Sequence, residues 1–438
     1  MVANKDKKAF QLIKGMKDIM PADQKYWQHV RNIINKLAHQ FNYQRIDTPI
    51  AEATKLFSRS VGDQTDIVEK EMYSFKDRGD NNISLRPEMT AGVVRAYIEH
   101  GMVNLPQPVK LFYLGPCFRY DKPQSGRQRQ FWQVGWEAIG EGSPILDAQI
   151  INLGYKFFKD LSLNVVVQIN SLGCQECRPV YYEVLLDFLK GKKNSLCDDC
   201  KRRVNKKPLR VLDCKEENCQ EITADAPQQV DHLCDDCRDH FVATLEYLDE
   251  LEIVYNLNPK IVRGLDYYNR TCFEYTSQDN EGTKLNALGG GGRYDGLVEE
   301  LGGRPTPAVG LAIGLERTVR ELRHQDVKVP DVEGYDIFVA QLGKEARKKC
   351  LNLYENLLAN DVRVAESFTK DGLKPQLELA DKLAVKYTLI LGQKEMIDGT
   401  ILVRDMEGGI QEVVDFNKVI PEIKKRLKTR LVEETPVQ

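Results

Sequence analysis

Apolar residues first fall into a helical rhythm at Tyr26, Val30, Ile33, Ile34, Leu37 and Phe41, shortly after Pro21, a residue that the first turn of a helix tolerates. The spacing predicts a long amphipathic helix. Further on, KLFYLGPCFRY and QFWQVGWEAIG, rich in aromatic and β-branched residues, flank the polar stretch DKPQSGRQR. That pattern predicts two antiparallel strands joined by a long loop. VRGLDYYNRTCFEYTS and TPAVGLAIGLERTVREL are also strand-like, and the second turns into a helix near Gly314. These segments predict one antiparallel-sheet domain interrupted by a cysteine-rich insertion. At HQDVKVPDVEGYD charge and proline replace the apolar rhythm. Beyond it YDIFVAQL, VRVAES, YTLILG and GTILVRD alternate with helical segments, which predicts a small α/β domain with a largely parallel sheet. The expected division is residues 1–170 and 256–325 for an α+β sheet domain, 171–255 for the insertion and 332–438 for the second domain. There is no internal repeat and no low-complexity tract.

A chain of 438 residues exceeds what one hydrophobic core usually supports. Its 42% hydrophobic and 29% charged residues exclude wholesale disorder. The lysine-bearing start MVANKDKKAF lacks the apolar core of a signal peptide, and no apolar run is long enough to span a bilayer. The expected location is therefore the cytoplasm, with no membrane partner. A net charge of −3 provides no long-range positive field, so any contact with nucleic acid must come from local patches. Of eleven cysteines, eight lie between Cys174 and Cys237; in a large chain without a secretory signal they read as thiols or metal ligands rather than disulfides.

None of the six histidines is placed for catalysis, and no Ser/His/Asp set is suggested. Polar density lies instead in arginines, carboxylates and tyrosines, which suits positioning and electrostatic catalysis on a phosphate better than a protein nucleophile. Arg119, Arg127 and Arg129 lie on and beside the loop between two strands, where guanidinium groups could converge on phosphate oxygens; alone, they would read as solvated loop residues. The run LGGGGRYDGL, Leu288 to Leu297, removes four consecutive side chains between apolar flanks. It forms either a flexible connection or a backbone that a ligand approaches closely, and it is not a P-loop.

SLRPEMT (Ser84 to Thr90), GPCFRYDKPQSGRQRQFWQVGWE (Gly115 to Glu137), RGLDYYNRT (Arg263 to Thr271), GGGGRYDGL and AVGLAIGLERT (Ala308 to Thr318) resemble, in order, the signature segments of histidyl-tRNA synthetases. Asp47 to Phe75 resembles that family's dimer-interface segment, and the resemblance extends through the C-terminal module. It implies a class II synthetase catalytic domain, an antiparallel sheet binding ATP, followed by an anticodon-binding domain. It further implies that the chain is a histidine–tRNA ligase with L-histidine, ATP with Mg²⁺, and histidine tRNA as its partners, working as a homodimer. On this resemblance Arg119 and Arg263 are catalytic, approaching the α-phosphate from opposite sides. Arg127 and Arg317 reach the terminal phosphate, Phe131 stacks on adenine, and Gln133 spans amino acid and phosphate. Glu88, Met89 and Thr90 flank the amino end of histidine, while Glu137, Tyr267 and Tyr268 surround its ring. Met89 departs from the glycine expected there, as do Tyr120 and Asp121 from a common His-Glu pair, and Trp132 and Trp136 from frequent choices.

The insertion holds Cys174/Cys177, Cys197/Cys200, Cys214/Cys219 and Cys234/Cys237. Three are C-x-x-C pairs and one is C-x-x-x-x-C, enough for two tetrahedral Cys₄ zinc sites. The alternatives are reduced, partly buried thiols, an iron–sulfur cluster or disulfides. Sequence leaves open which pairs meet. CKRRVNKKPLR, Cys200 to Arg210, reads either as a solvated helix face or as a surface meeting the acceptor arm of tRNA. Two other functions stand beside the ligase: a histidine-binding regulatory subunit of a biosynthetic transferase and a nucleic-acid-binding sensor. The presence of Arg263 and of residues 335 to 431 favours the ligase over the first. The intact set Arg119, Gln133, Glu137, Arg263, Tyr268 and Arg317 favours it over the second.

Overall fold

Behind a 3-10 turn at Pro21–Asp23, the first apolar rhythm forms the helix Gln24–Gln40, which buries Trp27, Val30, Ile33, Ile34, Leu37 and Ala38. Positions three and four apart share one helical face, so this stripe packs with the helix Pro144–Asp160 over the central sheet. The structure is a computed structural model that describes residues 10–62, 65–121, 127–278, 284–330 and 334–434. The lysine-bearing first nine residues and residues 122–126 of the polar loop lie outside the described residues.

The chain divides into two units, Met1–Pro330 and Asp331–Gln438. Strands of the first are β1 (Gln44–Arg45), β2 (Ala51–Ala53), β3 (Ser74–Lys76), β4 (Asn82–Leu85), β5 (Val109–Phe118), β6 (Gln130–Ile139), β7 (Val165–Ser171), β8 (Tyr255–Leu257), β9 (Asn269–Gln278), β10 (Lys284–Arg293) and β11 (Ala308–Gly314). Eight of them form one sheet in the order β1-β5-β6-β11-β10-β9-β7-β8. All its central pairings are antiparallel, and only the short edge strands β1 and β8 pair in parallel. β5 and β6 pair from Val109↔Ile139 to Phe118↔Gln130, the hairpin expected from their composition. β2, β4 and β3 form a separate small sheet. The strand expected across VRGLDYYNRTCFEYTS begins only at Asn269, and Arg263 to Tyr268 form an irregular loop leading into it.

The insertion is helical, with Cys177–Lys192, Asp198–Lys206, Leu209–Leu212, Glu217–Ile222 and Asp235–Glu250 as its helices. The last of these is anchored to the sheet domain. His240 Nε2 lies 2.7 Å from Asp147, whose other oxygen meets Arg293 Nε at 2.7 Å, with Arg293 and Asp147 fully buried.

In the second unit β12 (Ile337–Gln341), β13 (Val364–Glu366), β14 (Tyr387–Leu391), β15 (Thr400–Asp405) and β16 (Gln411–Asp415) take the order β13-β12-β14-β15-β16. Its first three strands are parallel, as expected, but β14-β15 and β15-β16 are antiparallel. The reason is local: the connection from Leu391 to Thr400, with the short helix Gln393–Asp398, and the turn between β15 and β16, with Gly409 at φ +69°, are both too short for a parallel crossover. β16 itself carried no pattern, because it is mostly exposed and turns only Val414 partly toward the core.

Candidate active site

Strand periodicity brings Phe131, Gln133, Gly135 and Glu137 to one face of β6, since alternate residues share a side. Two glycines make room for what stands there. A Cβ on Gly135 would come within 2.2 Å of the Tyr113 ring, and one on Gly310, opposite Glu137 in the register, within 1.7 Å of Glu137 Oε2. With both absent, Tyr113 and Thr90 donate hydrogen bonds to Glu137 Oε1 at 3.1 and 2.8 Å, and Tyr294 donates to Oε2 at 2.6 Å. Burial raises the Glu137 carboxyl to about 8 despite these donors. Glu88 is raised for the same reason, though both its oxygens accept backbone N–H groups, of Thr90 at 2.7 Å and Ala91 at 2.8 Å, at the start of the helix Thr90–Glu99. Two buried carboxyls a short way apart make this end of the site suited to a cationic or hydrogen-bond-donating ligand.

The glycine run occupies the C-terminal half of β10, paired on both sides. Cβ atoms would meet Gly310 O at 1.9 Å from Gly291 and Phe273 O at 2.4 Å from Gly290. The run is therefore not a flexible connection: it lets neighbouring backbones close in, and Gly289 and Gly290 also line a cleft on the sheet. At Gly290 the missing side chain also admits Arg263, whose Nη1 would lie 2.7 Å from a Cβ there. Arg263 pairs with Glu274 Oε1 on β9 at 2.7 Å, and its guanidinium lies 5.3 Å from the centre of the Tyr268 ring. The Tyr267 ring lies between those of Tyr268, 4.6 Å away, and Tyr294, 5.7 Å away.

These groups surround a cleft of about 850 Å³ on the sheet. Of the residues singled out in sequence, Glu88, Thr90, Arg119, Arg127, Phe131, Gln133, Arg263, Tyr267, Tyr268 and Arg317 line it. Met89 does not: it is packed in the apolar core, 2% exposed. Glu137 sits behind the lining, bonded to Thr90 and Tyr113. Arg119 Nε donates to Pro87 O at 2.8 Å with its guanidinium 5.3 Å from the Phe131 ring centre. Arg317, in the first turn of the helix Leu315–His324, donates to Ala287 O at 2.8 Å. Burial and then the neighbouring Arg127, Arg320 and Arg119 lower its pKa. Cations that weaken one another in this way await an anion.

Sequence reasoning did not assign roles to Tyr113, Glu274 and Tyr294; the last stood inside the quoted GGGGRYDGL, where an aromatic after a buried arginine was the available signal. It also gave no hint that Cys197, Arg203, Arg210, Asp213 and Cys214 of the insertion form one wall of the cleft. The departures have local explanations. Asp121 pairs with Arg127 at 3.0 Å, Arg129 lies 3.6 Å from the Tyr120 ring centre, Trp132 stacks edge-on with Trp27, and Trp136 is fully buried.

The eight insertion cysteines gather into two quartets, Cys174/Cys177/Cys234/Cys237 and Cys197/Cys200/Cys214/Cys219, with the sulfurs of each within 4.8 Å of one another. All are free thiols. Cys174 Sγ lies 3.8 Å from both Cys177 Sγ and Cys234 Sγ, and Cys197 Sγ lies 3.9 Å from Cys214 Sγ. A disulfide needs about 2.05 Å. Zn–S bonds of about 2.3 Å around a tetrahedron place sulfurs roughly 3.8 Å apart.

An antiparallel sheet carrying an arginine-ringed cleft on its face, with a separate α/β unit after it, defines a class II aminoacyl-tRNA synthetase, an ATP- and magnesium-dependent ligase class. The family model described as Histidyl-tRNA synthetase matches residues 15–318, and that described as Anticodon binding domain matches residues 336–426. The chain belongs to the histidyl-tRNA synthetase family. It is 44% identical over 418 residues to the histidine–tRNA ligase of Pelotomaculum thermopropionicum, covering 95% of this chain and 98% of that one. It is 46% identical over 403 residues to that of Syntrophotalea carbinolica, covering 92% and 95%. The solved structure of apo S. aureus histidyl-tRNA synthetase superposes with a TM-score of 0.80 at 34% identity, covering 95% of this chain and all of that one.

Proposed function

We propose that this chain activates L-histidine with ATP in the cleft and transfers it to the 3′ end of histidine tRNA. The observation that carries the reading is one cleft lined by two groups of opposite character: the mutually repelling cations Arg119, Arg127 and Arg317, and the buried Glu88 with Thr90, Tyr113 and Tyr267. Histidine's own carboxylate attacks the α-phosphorus in line and pyrophosphate departs, so the protein need only align and stabilise charge. Arg119 and Arg263 bracket the α-phosphate, and Arg127 and Arg317 draw on the terminal phosphate. Phe131, already beneath a guanidinium, offers a face to adenine, and Gln133 bridges the two substrates. Glu88 and Thr90 receive the α-amino group. Tyr267 and Tyr268 enclose the ring, while Glu137 acts from behind, fixing the hydroxyls of Thr90, Tyr113 and Tyr294. Magnesium carried by the nucleotide would neutralise its phosphate oxygens; among the carboxylates of the cleft wall, Glu274 and Glu316 are engaged by Arg263 and by Trp132 N–H.

The second unit reads the anticodon. The chain works in the cytoplasm, where reducing conditions suit eleven cysteines without a disulfide among them, and as a homodimer built on Asp47 to Phe75, a segment that leaves Ile50 and Phe75 exposed at 43% and 50%. Each cysteine quartet holds a structural zinc ion; the sulfur spacings near 3.8 Å support zinc over disulfides.

Pyrophosphate exchange measured with ATP and each standard amino acid in turn tests the function. Exchange with histidine alone is expected. Exchange with another amino acid, or none from a folded preparation, overturns it.

A further inference from the structure

The two quartets differ in where they stand. The first joins the end of the β7 segment to the start of the helix Asp235–Glu250, whereas Cys197 and Cys214 of the second line the catalytic cleft. Between its two cysteine pairs run the helices Asp198–Lys206 and Leu209–Leu212. Their basic residues do not all face solvent. Lys207 Nζ donates to Asp266 at 2.6 Å with its side chain only 18% exposed, and Arg203 and Arg210 reach Asp66 at 3.3 and 3.9 Å. Arg210 Nη1 also lies 3.7 Å from where a side chain on Gly264 would begin.

Gly264 and Asp266 belong to the irregular loop that carries Arg263, Tyr267 and Tyr268. That loop has no strand partner; it is tied through Asp266 N–H to Val61 O at 3.3 Å and through Arg178 Nη2, which donates to Tyr268 O at 2.6 Å. The insertion's cations therefore hold it from outside. The helices presenting those cations are of nine and four residues, too short to persist alone. Their buried side chains are few, Cys200 and Val204 on the first and Val211 and Leu212 on the second, with Cys214 and Cys219 buried beyond them.

We propose that zinc at Cys197, Cys200, Cys214 and Cys219 is a positioning site for the reaction: the ion fixes the two short helices, and Lys207 and Arg210 thereby keep the Arg263–Tyr268 loop in register with the cleft. This rests on the zinc reading and on the histidine-activating reading above. The first quartet closes the insertion at its root, where Arg178, next to Cys177, holds the far end of the same loop by donating to Tyr268 O at 2.6 Å.

The test uses the full-length chain, with zinc counted by atomic spectroscopy beside steady-state histidine-dependent pyrophosphate exchange. Cys214→Ser should lose one of two zinc ions and raise KM for histidine by about tenfold or more. A merely unfolded fraction lowers kcat and leaves KM alone. The double substitution Lys207→Ala with Arg210→Ala keeps every thiol; it should retain both ions, keep its circular dichroism and reproduce the KM rise. An unchanged KM in that variant, or in folded Cys214→Ser after zinc loss, overturns the proposal. A parent chain free of zinc overturns the metal reading and this one with it. A zinc-replete parent without histidine-dependent exchange overturns the proposed function instead.

Discussion

Arg263 Nη1 stands 2.7 Å from Glu274 Oε1 on the sheet, over a glycine that leaves it space. A guanidinium so held loses little freedom when it meets a phosphate. Arg263→Ala should slow single-turnover adenylate formation by about a hundredfold, roughly 2.7 kcal/mol, with little change in histidine affinity measured without ATP. Arg263→Lys should recover only part of the rate. Equal losses of binding and adenylation would remove Arg263 from the phosphate.

Gly310→Ala would drive a methyl group to within 1.7 Å of Glu137 Oε2. Strand register prevents backbone escape, so Glu137 must move and release hydroxyl partners. Destabilisation of about 1–3 kcal/mol is expected, together with weaker histidine binding. Thermal unfolding and equilibrium dialysis check both; an unperturbed variant would show that Glu137 has space elsewhere.

Glu137 also sets a pH dependence. Its folded-state value, about 8, exceeds the ordinary 4.5, so the folded protein binds the proton more tightly than the unfolded one. Stability from this group is complete below about 4.5 and declines as pH rises toward about 8. Glu137→Gln, which cannot ionise, should flatten that decline. Unfolding midpoints of the ligand-free parent and variant across this window decide it; parallel profiles would place the titration elsewhere.

Deleting residues 331–438 removes a unit with its own apolar core. Histidine-dependent pyrophosphate exchange should persist in the truncated chain while aminoacylation of tRNA falls steeply. Proportional loss of both activities, in a protein that still unfolds cooperatively, would mean that the second unit serves the chemistry itself.

The hairpin of β5 and β6 was legible because aromatic and β-branched residues fill both strands and the polar loop separates them, and the signature segments were legible because their glycines, arginines and tyrosines stand in contiguous order. Residues 263–268 misled, since YY followed by a strand pattern looks the same whether the tyrosines belong to the strand or to the loop before it. β16 was invisible because exposed strands need no apolar alternation. Glycine spacing at 289–292 marked a close approach without saying whose, and only the register shows the visitors to be Gly310, Phe273 and Arg263. Cysteine spacing carries the number of thiols and their local pairing, whereas which pairs meet depends on where the chain returns sixty residues later. Nor does a run of lysines and arginines reveal that three of them turn inward.

Those two quartets are nested: the pair at 174/177 meets the pair at 234/237, and the pair at 197/200 meets the pair at 214/219 between them. Exit and return of the insertion therefore coincide at one point, with Cys174 and Cys234 sulfurs 3.8 Å apart. Such an arrangement is a cassette. Residues may be gained or lost between Cys177 and Cys234 without altering the span that the sheet must bridge, and lengthening a closed loop costs only about 0.6 kcal/mol for each doubling. The outer site shuts the insertion whatever lies inside it, so the inner site and the wall of the cleft that it carries stand apart from the span that the sheet beneath must bridge.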